Sequence, residues 1–373
     1  MGKKPPPRNQ QTANRQTTPA HGSPRRRRRR ASKRRKVILL IVEIIVLLLA
    51  VAFIYTVMRV EQSGKLVIDE DSIIINEAVR EYADEVLGDY LNVALFGVDS
   101  TTGSLGRGTR ADGIIIASLN RSSGDIRLVS VYRDTYLNLG NDRYNKCNAA
   151  YAQGGPEQAI NMLNMNLDLN ITDFITIGFK GMSEAIDTLG GIMIEITEAE
   201  LLHINNYQMT MAEDLGRGYV PIERAGLQRI DGLQATAYCR IRFTAGDDFR
   251  RAERQRDVLR AILDEAKKAS PATLTRVADD IFSSVLTSFE LSMIMSLLLD
   301  ITKYDIVGDS GFPAADLRTT ATIGSSGSCV VPLDLEQNAI WLHDFLFGEQ
   351  YVPSTELRAY SKKIKEDTSP YLR

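Results

Sequence analysis

Val37–Met58 constrains this chain more than any other stretch: 22 residues that are apolar except for Glu43 and Thr56. As a helix rising 1.5 Å per residue it would measure about 33 Å, enough to cross the hydrocarbon core of a bilayer. Ten Lys or Arg residues lie between Arg25 and Lys36, immediately before it. That excess of positive charge predicts a single-pass protein with residues 1–36 in the cytoplasm and everything after Met58 outside the cell membrane. Ala50-Val51-Ala52 has the small-residue pattern of a signal-peptidase site. The apolar run continues through Phe53, Ile54 and Val57, which favours an uncleaved signal anchor.

The charge balance differs on the two sides of this run. Residues 1–36 carry 14 Lys or Arg and no acid, are rich in Pro, Gln and Thr, and have no apolar periodicity, the signature of a disordered tail. Arg25–Arg30 resembles a nucleic-acid-binding run, but beside a membrane segment it fits topology and anionic-lipid attraction as well. Residues 59–373 carry 31 basic against 46 acidic residues, a net −15, so no nucleic acid is expected as partner of the folded region. Three cysteines without CxxC spacing (Cys147, Cys239, Cys329) point to neither a disulfide framework nor a zinc site. Of the three histidines, His21 is in the tail, and His203 and His343 fall outside every motif, which argues against a histidine-based triad.

Downstream, residues 59–89 read as a connector and an acidic helix over Ser72–Leu87. Three strands follow, at Asn92–Val98, Gly113–Asn120 and Asp125–Tyr132. Gly154–Leu167 and Phe179–Leu189 read as helices, flanking a strand at Ile171–Ile177. Another strand is expected at Ile192–Ile196, with irregular chain over 200–225. Tyr238–Phe243 alternates apolar and polar residues, which predicts a strand with Tyr238, Arg240 and Arg242 on one face. A long helix runs from Asp248 to near Lys268, a helix follows Ser270-Pro271, another covers Leu291–Ile301, and one more lies at Leu335–Phe347. The expected fold is mixed α/β: a central mixed sheet sandwiched by helices, behind one N-terminal transmembrane helix.

Asp99 ends the first strand and Asp112 opens the second, so an antiparallel pairing brings both carboxylates to one end of the sheet. Two such carboxylates beside arginines suit Mg²⁺, which takes a few carboxylates, waters and phosphate oxygens. Taken singly, each Asp could equally cap a turn. Arg110 shares Asp112's face on an extended chain, and Arg133-Asp134 ends the third strand, with Asp134 either orienting Arg133 or acting as a base. Arg251, Arg254 and Gln255 share one face of the long helix. Arg forks and a helix N-terminus together favour phosphate, whereas a solvated helix pairing with Asp247, Asp248 and Glu253 is the plainer alternative. Arg256 lies at the next helical position, outside this set, and is expected to be dispensable.

Asn92–Ser100, Arg110-Ala111-Asp112, Arg133-Asp134-Thr135, Lys146–Gly155, Tyr238-x-Arg240-x-Arg242 and Arg251-x-x-Arg254-Gln255 together resemble, in order, the LytR-CpsA-Psr family. The core motifs cover 90–265, and the resemblance implies an extracytoplasmic catalytic domain over 90–348 followed by a tail at 349–373. It implies a transferase that moves an anionic glycopolymer from an undecaprenyl-pyrophosphate carrier to peptidoglycan, forming a phosphodiester, with the polyprenyl chain in an apolar cleft. It makes Asp99 and Asp112 the Mg²⁺ ligands, catalytic together with Arg133 and Arg242. Arg110, Arg240 and Arg251 complete the pyrophosphate clamp, with Lys146, Arg254 and Gln255 in support. Tyr132 stands where members usually have Pro, Cys147 where Ile or Leu is common, and Gly113 where Thr is common. Arg250 replaces a usual Gly, leaving open which of Arg250 and Arg251 enters the site. A membrane-bound polyprenyl-phosphate-binding regulator and a pyrophosphatase using water as acceptor are the alternatives.

Overall fold

The chain from Tyr90 to Val98 alternates its side chains between two apolar environments. Ala94, Phe96 and Val98 join the main core, whereas Leu91 and Val93 belong to a separate cluster on the opposite sheet face. A strand buried on both faces needs cover on both, and the computed structural model supplies helices on each side. It describes residues 65–99, 104–140, 142–242 and 247–372. The cytoplasmic tail and membrane anchor expected over 1–58 fall outside these residues. Among the described residues, no helix is long and apolar enough to cross a membrane.

In chain order the elements are α1 (Glu77–Glu85), β1 (Tyr90–Val98), β2 (Ala111–Asn120), β3 (Asp125–Val131), β4 (Tyr136–Asn138), β5 (Tyr144–Lys146) and α2 (Asn148–Leu167). There follow β6 (Asp173–Gly178), α3 (Phe179–Leu189), β7 (Ile192–Ile196), α4 (Glu198–Asp214), β8 (Gly226–Ile230), α5 (Gly232–Arg240), α6 (Asp247–Ala266) and α7 (Pro271–Ser284). The remainder are β9 (Val285–Thr287), α8 (Leu291–Leu299), β10 (Asp305–Phe312), β11 (Arg318–Ile323), β12 (Gly327–Pro332), α9 (Leu335–Phe347) and α10 (Thr355–Thr368). The central sheet has the order β10-β3-β2-β1-β6-β9. It is mixed: β1 pairs antiparallel with β2 and parallel with β6, and β3 pairs antiparallel with β2 and parallel with β10. Helix α2 packs its Ile160 and Leu163 in the main core on one face. On the other, α8 covers the cluster around Leu91 and Val93, and α6 lies against β3 and β10.

Four local expectations change. Tyr238–Arg240 closes helix α5 rather than forming a strand. Asp231 accepts a hydrogen bond from Gln234 N and the Gln234 side chain caps Asp231 N, a reciprocal box that starts the helix. Because α5 is buried from Gly232 to Cys239, the short alternation after Tyr238 carried no information about period. Arg240 and Arg242 therefore do not share a strand face. Residues 198–214 form α4, not irregular chain, nucleated by a second box between Thr197 and Glu200. Helix α2 begins before Gly154, and continues past Gly155, whose left-handed φ of 72° marks the kink. Residues 349–372 are not a tail: α10 buries Leu357 and Ile364 in the main core, and Ser354 bonds Asp168.

Two interior groups carry predictions. His343 on α9 is fully buried, stacked 3.7 Å from Tyr351, with Nε2 3.0 Å from the Leu167 carbonyl. Burial pushes its pKa from 6.5 down to about 4. The unfolded chain thus takes up a proton that the folded one refuses, so this stability is complete above pH 6.5 and is lost as pH falls toward 4, by roughly 3 kcal/mol. Unfolding midpoints measured between pH 7 and 4.5 should fall steadily, and His343→Gln should flatten that slope. Arg256, expected to be dispensable, is instead 6% exposed, donating from Nε to Asp309 Oδ1 at 2.8 Å and from Nη1 to Ser130 Oγ at 2.7 Å. Arg256→Ala should cost about 1–3 kcal/mol in denaturant unfolding, since Asp309 keeps Arg260 but Ser130 loses its donor.

Candidate active site

Val98 pairs with Ala111, so the antiparallel β1–β2 ladder delivers Asp99 and Asp112 to the same sheet end. Two cavities meet there. A polar basin of about 800 Å³ is lined by residues including Arg110, Arg133, Asp134, Lys146 and Ser326. An apolar cavity of about 470 Å³ runs along the sheet face over Leu95, Ile115 and Ile175 beneath Val258 and Ile262 of α6. Asp99, Asp112 and Arg242 line both.

Asp112 organises the cations. Its Oδ1 accepts from Arg133 Nη1 at 3.0 Å, its Oδ2 from Arg242 Nη2 at 2.9 Å, and its backbone carbonyl from Arg251 Nη2 at 3.3 Å. Arg133 also faces Asp248 at 3.4 Å and Asp134 at 3.8 Å, and Lys146 reaches the other oxygen of Asp134 at 3.5 Å. Asp134 thereby orients two cations. Burial opposes the charge of Arg133, but Asp112, Asp248 and Asp134 outweigh it and raise its pKa.

The remaining arginines are held more loosely. Arg240 Nη2 is 3.7 Å from Asp99, with its guanidinium 4.4 Å from the Phe179 ring centroid and 5.4 Å from that of Tyr207. Arg251 is 5% exposed, and its pKa is lowered, first by burial and then by Arg133 and Arg242 despite Asp248. Among the described residues, Arg133 Nε, Arg240 Nη1 and Arg251 Nη1 are buried without a hydrogen-bond acceptor; the last is 3.2 Å from Asp248 Oδ1 but misaligned. Buried donors of this kind cost free energy until an anion meets them, and phosphate oxygens match the guanidinium fork.

Arg251, not Arg250, enters the cavity wall; Arg250 pairs with Glu253 at 2.8 Å on another face of α6. Gln255 lines the apolar cavity, and Gly113 leaves it room, since a Cβ there would meet Gln255 Oε1 at 3.0 Å. Arg110 lines the basin with its side chain exposed. Arg254 is the exception among the expected site residues: 1% exposed, it donates from Nε to Glu200 at 2.7 Å and from Nη1 to the Ile241 carbonyl at 3.1 Å. It braces α4 and the chain leading to Arg242 and lines neither cavity. Sequence reasoning missed Asp248 as a partner of Arg133, and Phe179 and Tyr207 as the aromatic seat of Arg240. The position of Asp248 three residues before Arg251 was the available signal.

Among the described residues the cavity offers no soft nucleophile. Cys239 lines it, but burial pushes its thiol up to about 12. Burial likewise raises Cys147, whose thiol donates to the Tyr132 and Arg133 carbonyls. The arrangement can bind an apolar chain ending in phosphates and stabilise charge on those phosphates.

The polyisoprenyl-teichoic acid–peptidoglycan teichoic acid transferase TagU of Oceanobacillus iheyensis is 28% identical over 218 residues, 56% of this chain and 62% of TagU. The match thus spans under two thirds of that relative's length. Among solved structures, one titled as a transcriptional regulator from Enterococcus faecalis superposes with a TM-score of 0.57 at 24% identity, covering 76% of this chain and 96% of that one. A structure of TagT bound to LI-WTA gives 0.51 at 20% identity, covering 75% and 91%. Both share the fold. Since residues 57–314 match the family model described as the LytR_cpsA_psr family, this chain belongs to that family.

Proposed function

We propose that this chain is a phosphotransferase that moves an anionic glycopolymer from an undecaprenyl-pyrophosphate carrier to a hydroxyl of peptidoglycan, on the outer side of a membrane to which Val37–Met58 anchors it. One observation carries the reading: an apolar cavity and a polar basin share the wall formed by Asp99, Asp112 and Arg242. The apolar side suits a polyprenyl chain, the shared wall its pyrophosphate, and the basin the sugars. The name of the TagU relative supports this substrate class.

In this reading the acceptor hydroxyl oxygen attacks the phosphorus that bears the polymer, its proton passes to water, and the bond to polyprenyl phosphate breaks, with that phosphate leaving as the anion. Arg133, Arg242 and Arg251, held around Asp112, neutralise the phosphates and the leaving group without needing to reorganise. Arg240, seated on Phe179, adds a donor from the apolar side. Residue chemistry fits Mg²⁺: Asp112 accepts one hydrogen bond on each oxygen and keeps a lone pair on each, and Asp99, its side chain 46% exposed, has among the described residues only a long contact, to Arg240. Bound there, Mg²⁺ would supply further charge neutralisation. Among the described residues no group of three or more His, Cys, Asp or Glu side chains could hold a metal, so substrate oxygens would have to complete the site.

Purified protein incubated with a polyprenyl-pyrophosphate-linked glycopolymer and peptidoglycan should yield polymer on the glycan and free polyprenyl phosphate. Mg²⁺ should bind weakly alone and more tightly with the pyrophosphate present, and Asp112→Asn should cut transfer roughly a hundredfold or more. Full transfer in chelator would remove the metal from this mechanism. Release of polymer phosphate to water, with none on peptidoglycan, would make the protein a pyrophosphatase; binding without turnover would make it a regulator.

A further inference from the structure

The Tyr132 side chain stands where family members usually have Pro, and it lines neither the basin nor the apolar cavity. Its ring meets Phe249 edge-on at 4.6 Å, and its hydroxyl accepts from Arg318 Nη1 at 3.1 Å. Gly311 on β10 leaves room for this, because a Cβ there would collide with the Tyr132 hydroxyl. Arg318 opens β11, and its guanidinium carbon lies 4.2 Å from the Phe249 ring centroid and 4.8 Å from that of Tyr132. Nη1 also donates to the Pro313 carbonyl at 2.9 Å, so both of its protons are used. Among the described residues the other edge of the fork, Nε with Nη2, has no acceptor. A fork held against two rings with one edge open is preorganised for a carboxylate.

Arg318 lines a polar cavity of about 420 Å³ between α6, β10 and the start of β11, within the size range of small-molecule sites. It shares no lining residue with the basin or the apolar cavity. Its charges balance, with Arg250, Arg256 and Arg318 against Glu253, Asp257 and Asp309. Most are already paired. Arg250 donates to Glu253 at 2.8 Å, and Asp309 accepts from Arg256 at 2.8 Å and Arg260 at 2.7 Å. Asp257 is left over. Half-buried on the same side of α6 as Arg250 and Glu253, it accepts no hydrogen bond and enters no ion pair among the described residues. Burial raises its pKa, Asp309 and Glu253 add to that, and the more distant Arg250 and Arg256 oppose it. A half-buried carboxylate without donors costs free energy until a cation meets it. The cavity thus presents one open guanidinium edge and one open carboxylate among charges that are otherwise neutralised. An inorganic anion would meet Arg318 but also Asp257, and a simple cation the reverse, so a ligand carrying both signs fits better than either.

We propose that this cavity binds an amino acid as its zwitterion, the carboxylate on the Nε–Nη2 edge of Arg318 and the ammonium on Asp257. A free amino acid and a larger molecule that carries an amino-acid end through its side chain both offer that chemistry. The cavity lies apart from the Asp112 site, so the proposal stands or falls independently of the transfer reaction.

The test is isothermal titration of the full chain in detergent micelles with alanine, Nε-acetyl-lysine, N-acetylalanine and alaninamide. Alanine and Nε-acetyl-lysine carry both charges and should bind. N-acetylalanine lacks the ammonium and alaninamide the carboxylate, so each should bind roughly tenfold or more weakly than alanine. Asp257→Asn should erase the preference for alanine over N-acetylalanine. Arg318→Lys should reduce the preference for alanine over alaninamide, since an ammonium offers no fork. Asp257→Asn breaks no hydrogen bond within the described residues, so its unfolding midpoint should match or exceed that of the wild type. Tighter binding of Nε-acetyl-lysine than of alanine supports a ligand linked through its side chain, and equal or weaker binding a free amino acid. Equal binding of alanine and N-acetylalanine would make this an anion site and overturn the proposal. Failure to bind either zwitterion, or a preference that survives Asp257→Asn, would overturn it as well.

Discussion

Alanine at Arg242 is expected to weaken binding of a polyprenyl pyrophosphate roughly ten- to over a hundredfold, because a charge-assisted hydrogen bond contributes about 1.5–3 kcal/mol. The loss should exceed that at an exposed ion pair: Arg250→Ala, which breaks only the pair with Glu253, should change binding little. Lysine at 242 should restore only part of the affinity, since an ammonium cannot both bond Asp112 Oδ2 and present a planar fork to phosphate. Arg240→Ala should behave differently. Its guanidinium rests on Phe179 and only approaches Asp99, so its removal strips one donor and leaves the Asp112 cluster intact. Titration of each variant with a polyprenyl pyrophosphate decides this. If Arg242→Ala binds as wild type does, the Asp112 cluster is not the pyrophosphate site.

The largest stability effect should come from Arg254→Ala. Arg254 and Glu200 are 1% and 2% exposed, and the partner left behind would be a buried carboxylate without its counter-charge. Breaking such a pair costs about 3–5 kcal/mol, although the intact pair adds little net stability over apolar replacements. Burial raises the Glu200 pKa, but hydrogen bonds from Thr197 and Arg254 outweigh it, so the carboxyl titrates below its ordinary value. A depressed carboxyl contributes stability above its unfolded pKa and loses it as pH falls through the folded one, so the wild type should weaken further in acid. Combining Arg254→Met with Glu200→Gln should recover much of the loss, because glutamine can keep the capping box with Thr197. Denaturant unfolding of the single and double variants measures both. A single variant as stable as wild type would show that the pair bears no load.

Local sequence determined the parts of this fold whose signals span a few residues. The strands β1, β2 and β3 follow from apolar runs interrupted by turns, and α3, β7 and α9 have the boundaries that their caps and breakers dictate. The convergence of Asp99 and Asp112 was legible because the end of one strand and the start of its antiparallel neighbour lie at the same end of the sheet, whatever the length of the loop between them. Tertiary structure decided the rest. Tyr238-x-Arg240-x-Arg242 reads as a strand by period, but burial of α5 on all sides removes the contrast on which period depends. Arg251, Arg254 and Arg256 are near neighbours on one helix with the same chemistry. Only the elements packed around α6 make the first a cavity donor on Asp112, the second a brace on Glu200 and the third a tie to β3 and β10. Their partners lie 139, 54 and 126 residues away, and no local pattern encodes distances of that kind. The sequence alone thus determined which groups have the chemistry to bind phosphate, while long-range packing decided which of them line the cavities, because burial and partner choice are properties of the assembled chain.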